Sequence, residues 1–499
     1  MTIRKPRRPA GMLCAATAIS VALASSLAAQ QPPQMPPRTK EPSETRPRPS
    51  RRQRLGIDRI EHQFPDLAPT GAGIPVGHVE GDVGHYMPNL QRRSLLGVEF
   101  TGVSGRSNPN SHTTATAAVI YGSDGLAPGI RDVYCYASNH WMGPAYLRTG
   151  SADPPVQNDR RLFNHSWIST SGPDIAEVLR RIDYVIDTRD VIMVVGVNNG
   201  RDSPVPPLLA SAYNVIAVGQ WSGKSSGGFT TVEGAGRCKP DIVAPDSRTS
   251  FATAAVTAVV ARLLETADRM HTKTPDARRS ELIKAVLLTG AAKPARWEPQ
   301  PDKPLDEHLG AGRVRFDLSY QVLTAGPAGP GRVRKRYGWH LDALSPHTEA
   351  EYLFDTLEPR GELSVTLVWH RRIDGQRGSD AATGHTYWID TPRLADFNLR
   401  LIAIDDRGNE STAAESLSAI DNVEQIYLKR LPAGRYRLEV WRQDRLAESW
   451  DYALAWRIEN RPITPDEQDG PPLQDEPPRL EQYAPQPVGN DAQQITNDQ

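Results

Sequence analysis

Short apolar runs alternate with helix-patterned stretches over the first two-thirds of the chain. Arg131 to Cys135, Val191 to Val197, Asn214 to Val218 and Ile242 to Ala244 are brief runs closed by turn-forming or polar residues, which predicts buried strands. Pro173 to Ile186 places Ile175, Val178, Leu179, Ile182, Val185 and Ile186 on one face, which predicts an amphipathic helix. From Ser250 a long segment of small and apolar residues runs without Gly or Pro, and a further helix is expected over Ala277 to Leu288. Strands alternating with helices predict an α/β domain, with a parallel sheet flanked by helices. After the Gly/Pro-rich link from Ala325 to Gly331 the pattern changes. Leu363 to Trp369, Phe397 to Ile404, Asn422 to Leu428, Arg435 to Trp441 and Tyr452 to Ile458 are short runs with turns between them and no helical period. That spacing predicts an all-β sandwich over 332–460.

The two ends of the chain are different in kind. Lys5, Arg7 and Arg8 precede an Ala/Leu/Val-rich run from Gly11 to Leu27, with small residues at Ser26 and Ala28. This is the layout of a secretory leader over 1–28 rather than a spanning helix, since the run is short and rich in Ala and Ser. The expectation is therefore a secreted or periplasmic protein with no stable membrane insertion after leader removal. Residues 29–54, rich in Pro and Arg, and the tail 461–499, rich in Pro, Gln and Asp, are too poor in apolar residues to build a core. A formal net charge of -1 over 499 residues gives no electrostatic reason to expect nucleic acid as a partner. Beyond the leader two cysteines remain, Cys135 and Cys238. Export would permit them to pair, but sequence does not show that they are close, and two buried thiols are the default.

The candidate chemistry sits at the edges of the predicted strands. Ser250 follows Ile242–Ala244 and a polar turn, at the start of a helix. Unpaired N–H groups and the helix dipole there favour negative charge, a setting suited to a nucleophile that builds an oxyanion beside it. Alone, the position is more simply read as an N-cap. A lone helix histidine such as His112 is more often structural than catalytic. Glu80 and Asp82 read as surface acids at a strand end, and Asn198-Asn199-Gly200 as an ordinary turn. Gly223-Lys224-Ser225-Ser226-Gly227 is formally G-x-S-x-G, but no helix follows Ser225, so it reads as a flexible surface turn rather than a nucleophile elbow. His78, Glu80, Asp82 and His85 match no common metal-ligand spacing, and no metal is assigned to them.

Taken together, the motifs change these odds. TSFATAAVTAVVARLL at 249–264 resembles the nucleophile segment of subtilisin-like serine peptidases. SHTTATAAVIYG, followed by GLAPG, resembles their histidine motif. Val191–Gly200 resembles their strand ending in G-N-x-G, and FNHSW at 163–167 their substrate-groove strand. The resemblance runs from about Leu55 to Leu323 and implies a catalytic domain over 55–325. Ile74 to Val79 would be its first central strand, ending in the catalytic acid. It implies Ser250 as nucleophile, His112 as base, Glu80 as the acid in place of the family's aspartate, and Asn198 as oxyanion donor. Asp82 is a second candidate for the acid. Ser166 and Trp167 would bind substrate, and the partners would be proteins or peptides. No organic cofactor is implied; calcium enters by family analogy only. LSVTLVW, FNLRL, DNVEQIYL and AGRYRLEV resemble the jelly-roll domain that follows some bacterial members. Arg248, Ile168 and Val197 stand where the family has glycine, and no folded pro-domain is legible before Leu55. The expected activity is a secreted serine endopeptidase. The alternative is a catalytically degenerate relative that acts as an extracellular binding protein.

Overall fold

Apolar alternation becomes a seven-stranded parallel sheet in the structure, a computed structural model that describes residues 49–172, 174–298, 303–356 and 361–460. The leader expected at 1–28, the linker up to residue 48 and the tail at 461–499 lie outside the described residues. In chain order the first domain holds α1 (Arg51–Leu55), α2 (Ile57–Gln63), β1 (Val76–Val79), β2 (Glu99–Gly102), α3 (Ser111–Tyr121), β3 (Asp132–Tyr136) and a one-turn α4 (Ser138–His140). It continues with β4 (Leu162–His165), α5 (Ile175–Arg189), β5 (Ile192–Gly196) and β6 (Ile216–Gln220). A small ribbon of β7 (Gly228–Phe229) and β8 (Cys238–Lys239) precedes β9 (Ile242–Ala244), α6 (Thr249–Met270), α7 (Ser280–Thr289) and α8 (Phe316–Thr324). The strand order is β2-β3-β1-β4-β5-β6-β9. All its pairings are parallel.

Strands β1, β4, β5, β6 and β9 are buried along their whole length, as both-face coverage by helices requires. Val76, Val194, Ile216 and Ile242 point to the side of α3, α6, α7 and α8. Val79, Phe163, Val195 and Ala217 point to the side of α5. Both Cys135 and Cys238 are buried and unpaired.

One boundary moves. The Pro/Arg-rich stretch expected to stay unfolded through residue 54 turns helical at Arg51. Ser50 accepts from the Gln53 N–H, and the Gln53 side chain accepts from the Ser50 N–H, a reciprocal capping box. Arg51 pairs with Asp246, and Arg52 donates to the Gly125 carbonyl (2.9 Å). Capping, ion pairs and the buried Leu55 side chain hold this turn in place.

The second domain is a β-sandwich. Its strands are β10 (Gly331–Val333), β11 (Tyr337–Leu344), β12 (Glu349–Thr356), β13 (Gly361–Val368), β14 (Arg372–Ser379), β15 (Thr386–Arg393), β16 (Phe397–Ile404), β17 (Glu410–Ser416), β18 (Val423–Leu431), β19 (Gly434–Arg442) and β20 (Trp450–Glu459). A five-stranded sheet (β10-β12-β19-β16-β17) faces a four-stranded one (β11-β20-β13-β18). Tyr352, Val365, Leu438, Tyr452 and Trp456 fill the space between them. β13 is buried on both faces, because the outer side of its sheet lies on α7 and α8. There the Trp339 indole donates to the Leu323 carbonyl (2.9 Å) and the Thr289 hydroxyl to the Ala455 carbonyl (3.3 Å).

A second seam is ionic. Arg371 donates to Asp183 (2.7 Å) and to Glu233 (2.7 Å), and Glu233 also accepts from Arg180 (2.9 Å). Asp183 is fully buried and takes the Asn214 N–H as well (2.8 Å). Burial favours the neutral acid at Glu233. The two guanidinium groups outweigh it and hold this carboxyl below its usual range.

Candidate active site

The site is built at the carboxyl ends of the parallel strands. β1 delivers Glu80 one residue beyond its last strand position, and the chain turns away at Gly81. That glycine has φ +57, and a Cβ there would sit 2.2 Å from the His85 carbonyl oxygen, so no other residue fits the turn without movement. Glu80 is buried, with its side chain 2% exposed. Its Oε2 accepts from His112 Nδ1 at 3.0 Å, and its Oε1 lies 3.2 Å from the Thr116 hydroxyl.

Behind the acid a buried network continues. His78 bridges the Thr116 hydroxyl (3.2 Å) and the Tyr121 hydroxyl (3.0 Å). Burial pushes the His78 imidazole down to about 4, so it stays neutral next to Glu80. The longer carboxylate is thus held at both oxygens, and the extra methylene is absorbed without losing the acid–histidine contact. Asp82, the second candidate for the acid, is exposed, and its backbone carbonyl accepts from the His85 N–H (2.9 Å).

His112 is the second residue of α3. Asn110 caps that helix and accepts from the N–H groups of His112 (2.8 Å) and Thr113 (3.1 Å), which fixes the first turn. The imidazole is 38% exposed. Its hydrogen bond to Glu80 holds it above the ordinary value, against burial and the charge of Arg248, which both pull it down.

Ser250 is the second residue of α6, and Arg248 holds the N-cap position without a side-chain capping bond. The N-cap reading of Ser250 is therefore replaced: its N–H is among the helix-start donors with no partner inside the helix. Ser166 Oγ donates to the Ser250 carbonyl (2.9 Å), tying the end of β4 to the first turn of α6. Glu80, His112, Ser166, Trp167, Ile168 and Ser250 line one open groove. Among the described residues, no hydrogen bond joins the Ser250 hydroxyl to His112. Such contacts are often long without substrate and tighten when it binds.

The asparagine is where the sequence reading is corrected. Asn198 does not line the groove; its backbone N–H donates to the Ser226 hydroxyl (2.9 Å). Asn199 does line it. Its Oδ1 accepts from the Thr249 N–H (2.9 Å) and lies 3.3 Å from the Thr249 hydroxyl. This occupies the carbonyl end of the amide, leaves its N–H₂ available as a donor, and sets it beside Ser250. A doublet of asparagines after a strand carries no signal as to which one turns inward.

Ser225 also departs from expectation. It is fully buried, and its hydroxyl accepts from the Gln220 N–H (3.0 Å), so it is neither a surface turn nor an available nucleophile. No group of three or more His, Cys, Asp or Glu side chains is arranged to hold a metal among the described residues.

A buried acid on a histidine, sharing a groove at a sheet's carboxyl edge with a serine that opens a buried helix, is the layout of the serine-hydrolase class. Residues 100–339 match the subtilase (peptidase S8) family model. The match takes in His112, Asn199 and Ser250 and begins after Glu80. No curated protein matches the chain. Among solved structures, similarity extends to fervidolysin from Fervidobacterium pennivorans, a keratinolytic enzyme related to subtilisin, at 16% identity and TM-score 0.36. It covers 76% of this chain and 61% of that one. The serine protease MycP1 of the type VII (ESX-1) secretion system is similar at 17% identity and TM-score 0.32, covering 53% of this chain and 88% of that one. The pre-peptidase C-terminal domain of a Bacillus anthracis collagenase is similar at 15% identity and TM-score 0.18, over 26% of this chain and 97% of that one.

Proposed function

We propose that the chain is an exported serine endopeptidase that hydrolyses peptide bonds through an acyl-enzyme on Ser250. The observation that carries this is the 3.0 Å contact between His112 Nδ1 and the buried carboxylate of Glu80, in the groove that Ser250 also lines. With Nδ1 engaged, Nε2 is the nitrogen left to accept the serine proton.

Ser250 Oγ attacks the scissile carbonyl while His112 takes its proton. Glu80 orients the imidazole and stabilises its charged form. The developing oxyanion is received by the Asn199 amide N–H₂ and the Ser250 N–H, both preset before the reaction. His112 then returns the proton to the leaving amine, and water repeats the cycle on the ester. The substrates are proteins or peptides, held along Ser166 and Trp167. Ile168 narrows the groove where the family has a glycine. Export follows from the leader expected at residues 1–28.

The test is hydrolysis of an unfolded protein, followed by the appearance of new amino termini. Wild-type protein is expected to cleave it. Ser250→Ala and His112→Ala are each expected to lower turnover by about 10⁴-fold or more. Cleavage that survives Ser250→Ala unchanged would remove the assignment, and an inert wild type would leave the chain as a binding protein.

A further inference from the structure

One wall of the groove is cationic. Arg248 and Lys224 both line it and are exposed. Among the described residues, neither side chain has an ion-pair or hydrogen-bond partner. The only carboxylate lining the same groove is Glu80, which is buried and committed to His112. Beyond Lys224 the wall continues into an adjoining depression that shares Gln220, Lys224 and Ser247 with the groove and adds Arg51 and Arg54. Its one carboxylate, Asp246, is paired with Arg51. Cations therefore outnumber free acids along this whole side, in a chain whose formal net charge is only -1.

Aligned charge of one sign in a cleft raises the local concentration of the opposite charge and favours ligands that bring it. A planar guanidinium also receives a carboxylate through two parallel N–H···O bonds. Arg248 stands where the helix of the nucleophile begins, two residues before Ser250. A carboxylate seated on it would lie close to the reacting bond.

We propose that this groove selects acidic peptides: segments with a carboxylate within a residue or two of the scissile bond, received by Arg248 and Lys224. The position of that bond rests on the reading of Ser250 as nucleophile; the affinity for acidic chains does not. A carboxylate can come from an Asp or Glu side chain or from a free chain terminus, and the two are separable.

The experiment uses the full chain carrying Ser250→Ala, which binds without cutting. Fluorescein-labelled decapeptides that differ only in Glu, Gln or Lys at their central positions are titrated by fluorescence anisotropy at fixed ionic strength. Each is made as the free acid and as the C-terminal amide. The Glu peptide is expected to bind about tenfold tighter than the Gln peptide, about 1.4 kcal/mol, and the Lys peptide weakest. Adding Arg248→Ala should erase most of that ratio, Arg248→Lys should keep part of it, and Arg248→Glu should invert it toward Lys. Arg248 makes no side-chain capping bond, so these variants are expected to fold. If amidation alone abolishes binding, the carboxylate recognised is the chain terminus. Equal affinity for the Glu and Gln peptides in both forms overturns the proposal.

The outcome is distinguishable from failure of the peptidase reading. Selective binding of Glu peptides by a wild type that cleaves nothing leaves the acidic preference standing and removes the enzyme. Efficient cleavage with no Glu over Gln preference, unaltered by Arg248→Ala, does the reverse.

Discussion

The groove and the seam between the two domains use the same materials in opposite ways. At the seam, the buried Asp183 and the partly buried Glu233 pack against Arg371 and Arg180. Guanidinium does not titrate in the working range of proteins, so the positive charges there are fixed. At the groove, Glu80 is equally buried, but its partner is an imidazole left 38% exposed. Imidazole changes charge near neutral pH. The first arrangement joins the two domains through fixed cations, and the second leaves a titratable cation at the groove. The difference lies in the identity and exposure of the cation, not in the depth of the carboxylate.

The comparison predicts opposite responses to losing one member. Glu80→Gln keeps shape and hydrogen-bonding atoms but removes the charge that stabilises imidazolium. Turnover should fall by about 10⁴-fold, with a much smaller change in the denaturant midpoint. Unchanged turnover would mean that another group orients His112. Arg371→Ala leaves Asp183 as an uncompensated buried charge and should cost about 3–5 kcal/mol of unfolding free energy. Turnover below the unfolding transition should stay near wild type. A variant that keeps its stability but loses turnover would show that the seam reaches the groove.

Smaller effects sharpen the groove itself. Asn199→Ala should lower kcat by about 10²–10³-fold through loss of an oxyanion donor, while Asn198→Ala should cost less than about tenfold. The reverse ranking would restore the asparagine that the motif first pointed to. The smallest effect is on pH dependence. His112 must be neutral to accept the serine proton, so kcat/KM should fall as pH drops through a value raised above the ordinary one by Glu80. The charge of Arg248 opposes that rise. Arg248→Ala should therefore move the acid limb to higher pH and Glu80→Gln to lower pH. An acid limb that Arg248→Ala leaves in place would separate the two groups electrically.

Much of this architecture was legible from patterning because buried parallel strands and their helices leave strong marks. Ile242–Ala244 and Phe397–Ile404 were bounded as they occur, and the helix at Ser250 was placed to within one residue. What escaped is polar. The hairpin of β14 and β15 has mostly exposed or half-buried side chains, so no apolar alternation announces it. α1 is carried by a capping box, arginine pairs and a single buried leucine, Leu55, within a Pro/Arg-rich text. At the site, place alone made Ser250 an N-cap, His112 a structural histidine and Glu80 a surface acid; the resemblance of their motifs to subtilisin-like peptidases is what singled them out. The choice between Asn198 and Asn199 was not legible, because it turns on which side chain faces the first turn of α6. The network of His78, Thr116 and Tyr121 behind Glu80 also went unseen. It joins residues brought together only by packing α3 against β1.

The central claim is that Ser250 is a nucleophile activated by His112, and covalent labelling with a fluorophosphonate probe tests it most directly. The account predicts a single labelled site at Ser250 in the wild type, sharply slower labelling in His112→Ala, and none in Ser250→Ala. A folded wild type that takes up no probe, or a Ser250→Ala variant labelled as fast as wild type, would contradict it.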